Sequence, residues 1–171
     1  EKPINLGKSP KNIRRNKMSE IRTALSNAMK DAMRAHEELK LQTVRMVMAK
    51  IKEQDIEARA KGNMDGIAEG DVLSLMQGMI KQRQESAKMY REGNRLELAV
   101  KEDEEIKIIE AFLPAQMSDE EVAGVVATLI SSVGAAGIKD MGKVMAELRA
   151  KYAGQLDMAK AGAVVKQKLA G

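Results

Sequence analysis

From residue 18 onward, apolar residues recur every three or four positions, and no stretch alternates with a period of two. That spacing gives an α-helix one apolar stripe and offers a strand no buried face, so the predicted fold class is all-α. Composition points the same way. Thirteen Met and many Ala, Leu, Glu and Lys stand against three Pro, two Tyr, one Phe and no Trp.

Seven helical segments follow from the pattern. Ser19 is placed as the N-cap of the first, with Ile21, Leu25, Met29 and Ala32 on one face. The second runs from about Glu38 to Lys61 and ends in a Gly-Asn-Met-Asp-Gly loop. Asp71 is the expected cap of the third, which carries Val72, Leu75, Met76, Met79 and Ile80, and Gly93-Asn94 ends it. The fourth holds Leu98, Ile106, Ile109 and Leu113 and is closed by Pro114, which disfavours the helical conformation in the residue before it. Ser118 with Glu121 three residues on is a capping box for the fifth. Asp140 and Asp157 are the expected caps of the sixth and seventh, with Gly142 admitting close packing in the sixth. The division this suggests is an extension over residues 1–17, a long-helix N-terminal domain over 18–114, and a small three-helix C-terminal domain over 117–171.

The net charge of +4 is unevenly spread. Residues 1–17 hold six Lys or Arg and one acid, and they show no periodicity. They are expected to be a disordered extension; the alternative is a basic arm that touches nucleic acid. Residues 102–121 carry one basic and eight acidic side chains, and residues 122–171 seven basic and three acidic. The last domain is therefore a basic module, a charge pattern suited to phosphate. With no cysteine, disulfides, thiol nucleophiles and zinc-finger sites are excluded. No apolar run is long enough to span a membrane and no signal-peptide core is seen, so no membrane association and a cytoplasmic address are expected.

The most specific polar pattern is Lys81-Gln-Arg-Gln-Glu-Ser86. At roughly 100° per residue, Lys81, Gln84, Lys88 and Arg91 fall within about 80° of one another, a mostly basic stripe. Arg83 falls on the opposite, apolar side, where an unpaired charge costs several kcal/mol. Glu102 and Glu105 share a face with the apolar residues of the fourth helix, so Arg83 is predicted to pair with one of them. Glu102 through Glu105 are read as a solvated or ion-paired face; no catalytic residue is assigned. His36, the single histidine, is read as a surface residue, with no metal or cofactor site. Gly137 through Val144 nearly matches a phosphate loop, but Val144 stands where a hydroxyl must hold magnesium and no strand precedes it.

Lys81 through Ser86, Tyr90 through Arg95, Glu102 through Glu105 leading to Phe112-Leu113-Pro114, Ser118 with Glu121, and Asp140 through Met145 follow in order. Together they resemble the GatB/YqeY family, small bacterial proteins similar to the C-terminal tail of the B subunit of glutamyl/aspartyl-tRNA amidotransferase. The resemblance covers about Met18 to Gly171. It implies an all-helical N-terminal domain, a small helical C-terminal domain, and a link to carbon–nitrogen ligation with glutamine as amido donor. In the large enzyme that chemistry resides in a separate domain, while the tail engages tRNA. The carry-over is therefore a tRNA-binding, amidotransferase-like accessory protein, non-catalytic by itself. Lys139, Lys143, Arg149, Lys151, Lys166 and Lys168 are the candidate RNA contacts by charge and location. A helical protein-interaction module, whose partner is another protein, and a ligase of amidotransferase type are the alternatives.

Overall fold

The computed structural model describes residues 10–170, with side chains from Glu20 onward. The described residues form seven α-helices and no strand: α1 Pro10–Ala35, α2 Glu38–Ala60, α3 Glu69–Glu92, α4 Leu96–Glu110, α5 Asp119–Val133, α6 Met141–Tyr152 and α7 Met158–Ala170. A 3₁₀ turn, Ile138–Asp140, precedes α6. The fold is all-α. No single helix among the described residues is long and apolar enough to cross a membrane. Contacts divide the chain into two compact units, Glu1–Glu69 and Gly70–Gly171.

In the first unit α1 packs against α2. Of the expected extension, residues 1–9 lie outside the described residues. α1 already runs from Pro10, so Ser19 sits inside it rather than at its cap. Proline is tolerated in a first helical turn because the N–H it lacks has no partner there. The turn between the helices is His36, at φ 57°, a left-handed conformation that histidine adopts more readily than branched residues.

The buried faces of the two helices include Leu25 and Ala32 on α1 and Val44, Val47 and Ile51 on α2. Asp55 lies one turn beyond Ile51 on the buried side. Its carboxylate accepts from Arg22 Nη1 at 2.7 Å and Nη2 at 2.9 Å. It also accepts the backbone N–H of Ile67 at 2.9 Å, which pins the loop after α2. Gly66 makes this possible: it has φ +84°, and a Cβ there would lie 2.4 Å from Asp55 Oδ1.

In the second unit α5, α6 and α7 close around Val122, Val126, Leu129, Val144, Leu148, Leu156, Ala161 and Val165. Their boundaries are set by local chemistry. Ser118 Oγ accepts the Glu121 N–H at 3.2 Å at the start of α5. At its end Gly134, with φ 68°, lets Ala135 N–H reach back to the Ile130 carbonyl at 3.0 Å. Asp157 Oδ1 accepts the Ala159 N–H at 2.8 Å at the start of α7.

Two further expected caps differ. α3 begins at Glu69, which puts Asp71 in its first turn. Asp140 does stand at the N-cap of α6, but its carboxylate turns back to accept the Ala136 N–H at 2.9 Å and so ties the α5–α6 connection instead. Gly142 is not demanded by packing, since a Cβ there would meet nothing within 4 Å.

The joint after α4 is fastened to the α6–α7 turn. Gln116 Nε2 donates to the Gly154 carbonyl at 2.6 Å, Met117 N–H donates to the Gln155 carbonyl at 2.7 Å, and Gln77 Nε2 of α3 donates to the Leu156 carbonyl at 3.0 Å. Gly154 also has φ +79°, and a Cβ on it would lie 2.8 Å from two carbons of Leu73. The first half of α3 is thereby held against the turn that launches α7.

Candidate nucleic-acid interface

α3 separates two chemistries on opposite flanks. Its buried side holds Val72, Leu73, Met76, Met79, Ile80, Arg83 and Ala87. Arg83 Nε donates to Glu105 Oε2 at 2.9 Å, and the two side chains are 8% and 12% exposed. Arg83 Nη1 also donates to the Met79 carbonyl at 3.2 Å. Glu105 thus holds the direct bond. Glu102 stands nearby with its carboxyl pushed up from the ordinary range, by burial first and then by the Glu105 charge, while Arg83 pulls it down. The arrangement is that of an internal strut, with both charges spent on each other.

The outward flank carries Lys81, Gln84, Lys88 and Arg91, all exposed. Arg91 is bonded to Asp103 of α4. Among the described residues Lys81 and Lys88 make no ion pair. Toward its N-terminal end the stripe runs into a cleft of about 1040 Å³. Gly78, Lys81 and Gln84 of α3, Leu113 and Pro114 of the joint after α4, and Lys160 of α7 line it. Glu110 and Asp157 also line it. Asp157 is occupied by the N–H groups that begin α7, Ala159 at 2.8 Å and Lys160 at 3.4 Å.

The six cations expected from the sequence are all exposed. On α6, Arg149 and Lys151 flank Lys143 on opposite sides, about 160° apart at the helical repeat; Lys166 and Lys168 are separated by a similar angle on α7. Lys151 pairs with Glu147 at 3.3 Å. Lys139 and Lys143 both act on Asp140, whose carboxyl is lowered chiefly by the Ala136 N–H and further by these two charges. Lys160 was missed by sequence reasoning, although its place as third residue of a helix capped by Asp157 was a usable signal. Among the described residues no three His, Cys, Asp or Glu side chains are placed to share a metal ion.

A sequence profile of the family described as Yqey-like protein matches residues 22–169. The chain belongs to the YqeY-like family. Among its relatives, "Altered inheritance of mitochondria protein 41, mitochondrial" of Vanderwaltozyma polyspora is 33% identical over 89 residues, 52% of this chain and 46% of that protein. The protein of the same name from Kluyveromyces lactis is 34% identical over 109 residues, 62% and 57% of the two chains. This YqeY-like chain spans about half the length of the relatives it matches.

Their names overturn the cytoplasmic address expected above, and they are yeast proteins, so bacteria do not bound the relationship. The physical reason is plain. A missing apolar signal core speaks against secretion alone, because organelle import sequences are basic and amphipathic rather than apolar.

Proposed function

We propose that this YqeY-like protein is a non-catalytic accessory that docks on RNA through backbone phosphates, tRNA being the class its family resemblance implies. The observation that carries the reading is the exposed flank of α3. Lys81, Gln84 and Lys88 lie on one arc that leads into a cleft edged by Lys160, and the three lysines make no ion pair among the described residues. Such a row matches successive phosphates, whereas the near absence of aromatic side chains disfavours base stacking as the source of affinity. The exposed cations of α6 and α7 add a general positive field.

Fluorescence anisotropy of a labelled tRNA transcript across a salt series tests this. About three phosphate contacts give log K falling with log salt at a slope near −2 to −3. Binding that is absent, or indifferent to salt, refutes the reading. Ammonia-dependent conversion of Glu-tRNA to Gln-tRNA by the isolated chain would instead make it an enzyme of amidotransferase type.

A second reading rests on Met89, Leu96 and Val100, which are 70%, 57% and 52% exposed near the α3–α4 turn. Apolar surface of this kind suits a protein partner. Its association would be nearly salt-independent and lost on Leu96→Glu.

A further inference from the structure

The geometry points to the cleft at the end of the α3 stripe as a pocket for one unpaired nucleotide of the bound RNA, its phosphate between Lys81 and Lys160 and its base on the apolar floor. This rests on the RNA reading above and narrows the part of an RNA that the protein selects. At about 1040 Å³ the cleft is at the upper end of small-molecule sites, roughly 300–1,000 Å³, which is ample for a nucleotide. A paired duplex offers a convex row of phosphates and has no use for a concave apolar floor. An unpaired base has two apolar faces that must leave water, and Ile80, Leu113, Pro114 and Met158 supply a surface for one of them.

Gly78 gives the second reason. It sits in the interior of α3, where glycine disfavours the helix relative to alanine. Among the described residues no neighbour requires it, since a Cβ there would meet nothing within 4 Å. It lines the cleft, so the wall is bare backbone at that point and a flat ring can approach it closely.

Charge sets the orientation. Asp157 is engaged by the first N–H groups of α7, while Glu110 opposes a phosphate at the α4 end. The phosphate is thereby directed away from Glu110, with Lys81 and Lys160 set against the remaining Asp157 charge. Ser74 and Gln84 also line the cleft and can hydrogen-bond the base edge.

The test compares the full chain binding to a blunt hairpin RNA and to the same hairpin with a short single-stranded 3′ extension. The extension is expected to strengthen binding about tenfold, from the apolar contact of its unpaired base, because Lys81 and Lys160 already count among the phosphate contacts. Gly78→Leu, which fills the cleft from a helical position with free space around it, should erase that increment, so that the variant binds the two RNAs with equal affinity. Lys88→Ala, on the stripe but outside the cleft, should weaken both RNAs equally. If the extension adds nothing, or Gly78→Leu retains the increment, the pocket is wrong while RNA docking stands. If neither RNA binds the wild-type chain, both fall together.

Discussion

Glu105→Ala should destabilise the protein by about 3 kcal/mol. Arg83 and Glu105 are 8% and 12% exposed, and the bond between them is 2.9 Å long. Removing one partner of such a pair typically costs about 3–5 kcal/mol, because the remaining charge stays in a poorly solvated place. Two features set the value at the lower end. Arg83 keeps its bond to the Met79 carbonyl, and Glu102 already acts on it through space.

The same reasoning requires the apolar pair Arg83→Met with Glu105→Leu to lose far less, about 1 kcal/mol or under, since no charge is left stranded. Urea unfolding at equilibrium, with unchanged slope, measures both. The carboxyl of Glu102 provides a separate readout. Part of its upward displacement comes from Glu105, so in Glu105→Gln its titration, followed by NMR, moves toward lower pH. A loss below about 1 kcal/mol for Glu105→Ala, or a double variant as unstable as the single one, refutes the strut.

Three other outcomes follow from the geometry. Gly154→Ala should cost about 2 kcal/mol or more in urea unfolding, because φ is +79° and the new methyl would meet Leu73 at 2.8 Å. Asp55 has its carboxyl lowered, chiefly by the Arg22 bond and further by the Ile67 N–H. Its contribution is therefore complete above the unfolded carboxylate value, near 3.9, and is lost as pH falls through the lower folded value. Asp55→Asn should be less stable at neutral pH and show a shallower acid limb in a pH series of unfolding midpoints. Ser118→Ala should cost about 1 kcal/mol by thermal or urea melting through loss of the Glu121 N–H bond.

Most helices were legible because their signals are local. Ser118, Gly134 and Asp157 stop or start a helix through atoms no more than four residues away. Arg83 was legible too, as a charge among apolar neighbours. The same argument applied to Ile51 and Asp55, one turn apart, would have exposed the Arg22–Asp55 bond, which spans 33 residues. What the sequence hid is long-range. Asp140 chose Ala136 over its own helix, and the Gln77 and Gln116 amides reach backbone 79 and 38 residues away. Those bonds fasten the α6–α7 turn to α3 and to the joint after α4, so the cleft that Lys81 and Lys160 both line could not be read from periodicity. Charge counting pointed to six cations on the 3₁₀ turn, α6 and α7, all of them exposed.

Mapping amide chemical shifts of the full chain during titration with tRNA locates the bound surface without presupposing it. Shifts concentrated at residues 78–91 of α3 and 158–160 of α7 are the predicted result. Shifts confined to the outer faces of α6 and α7, or to the first unit, would contradict the assignment of the α3 flank as the face that meets RNA.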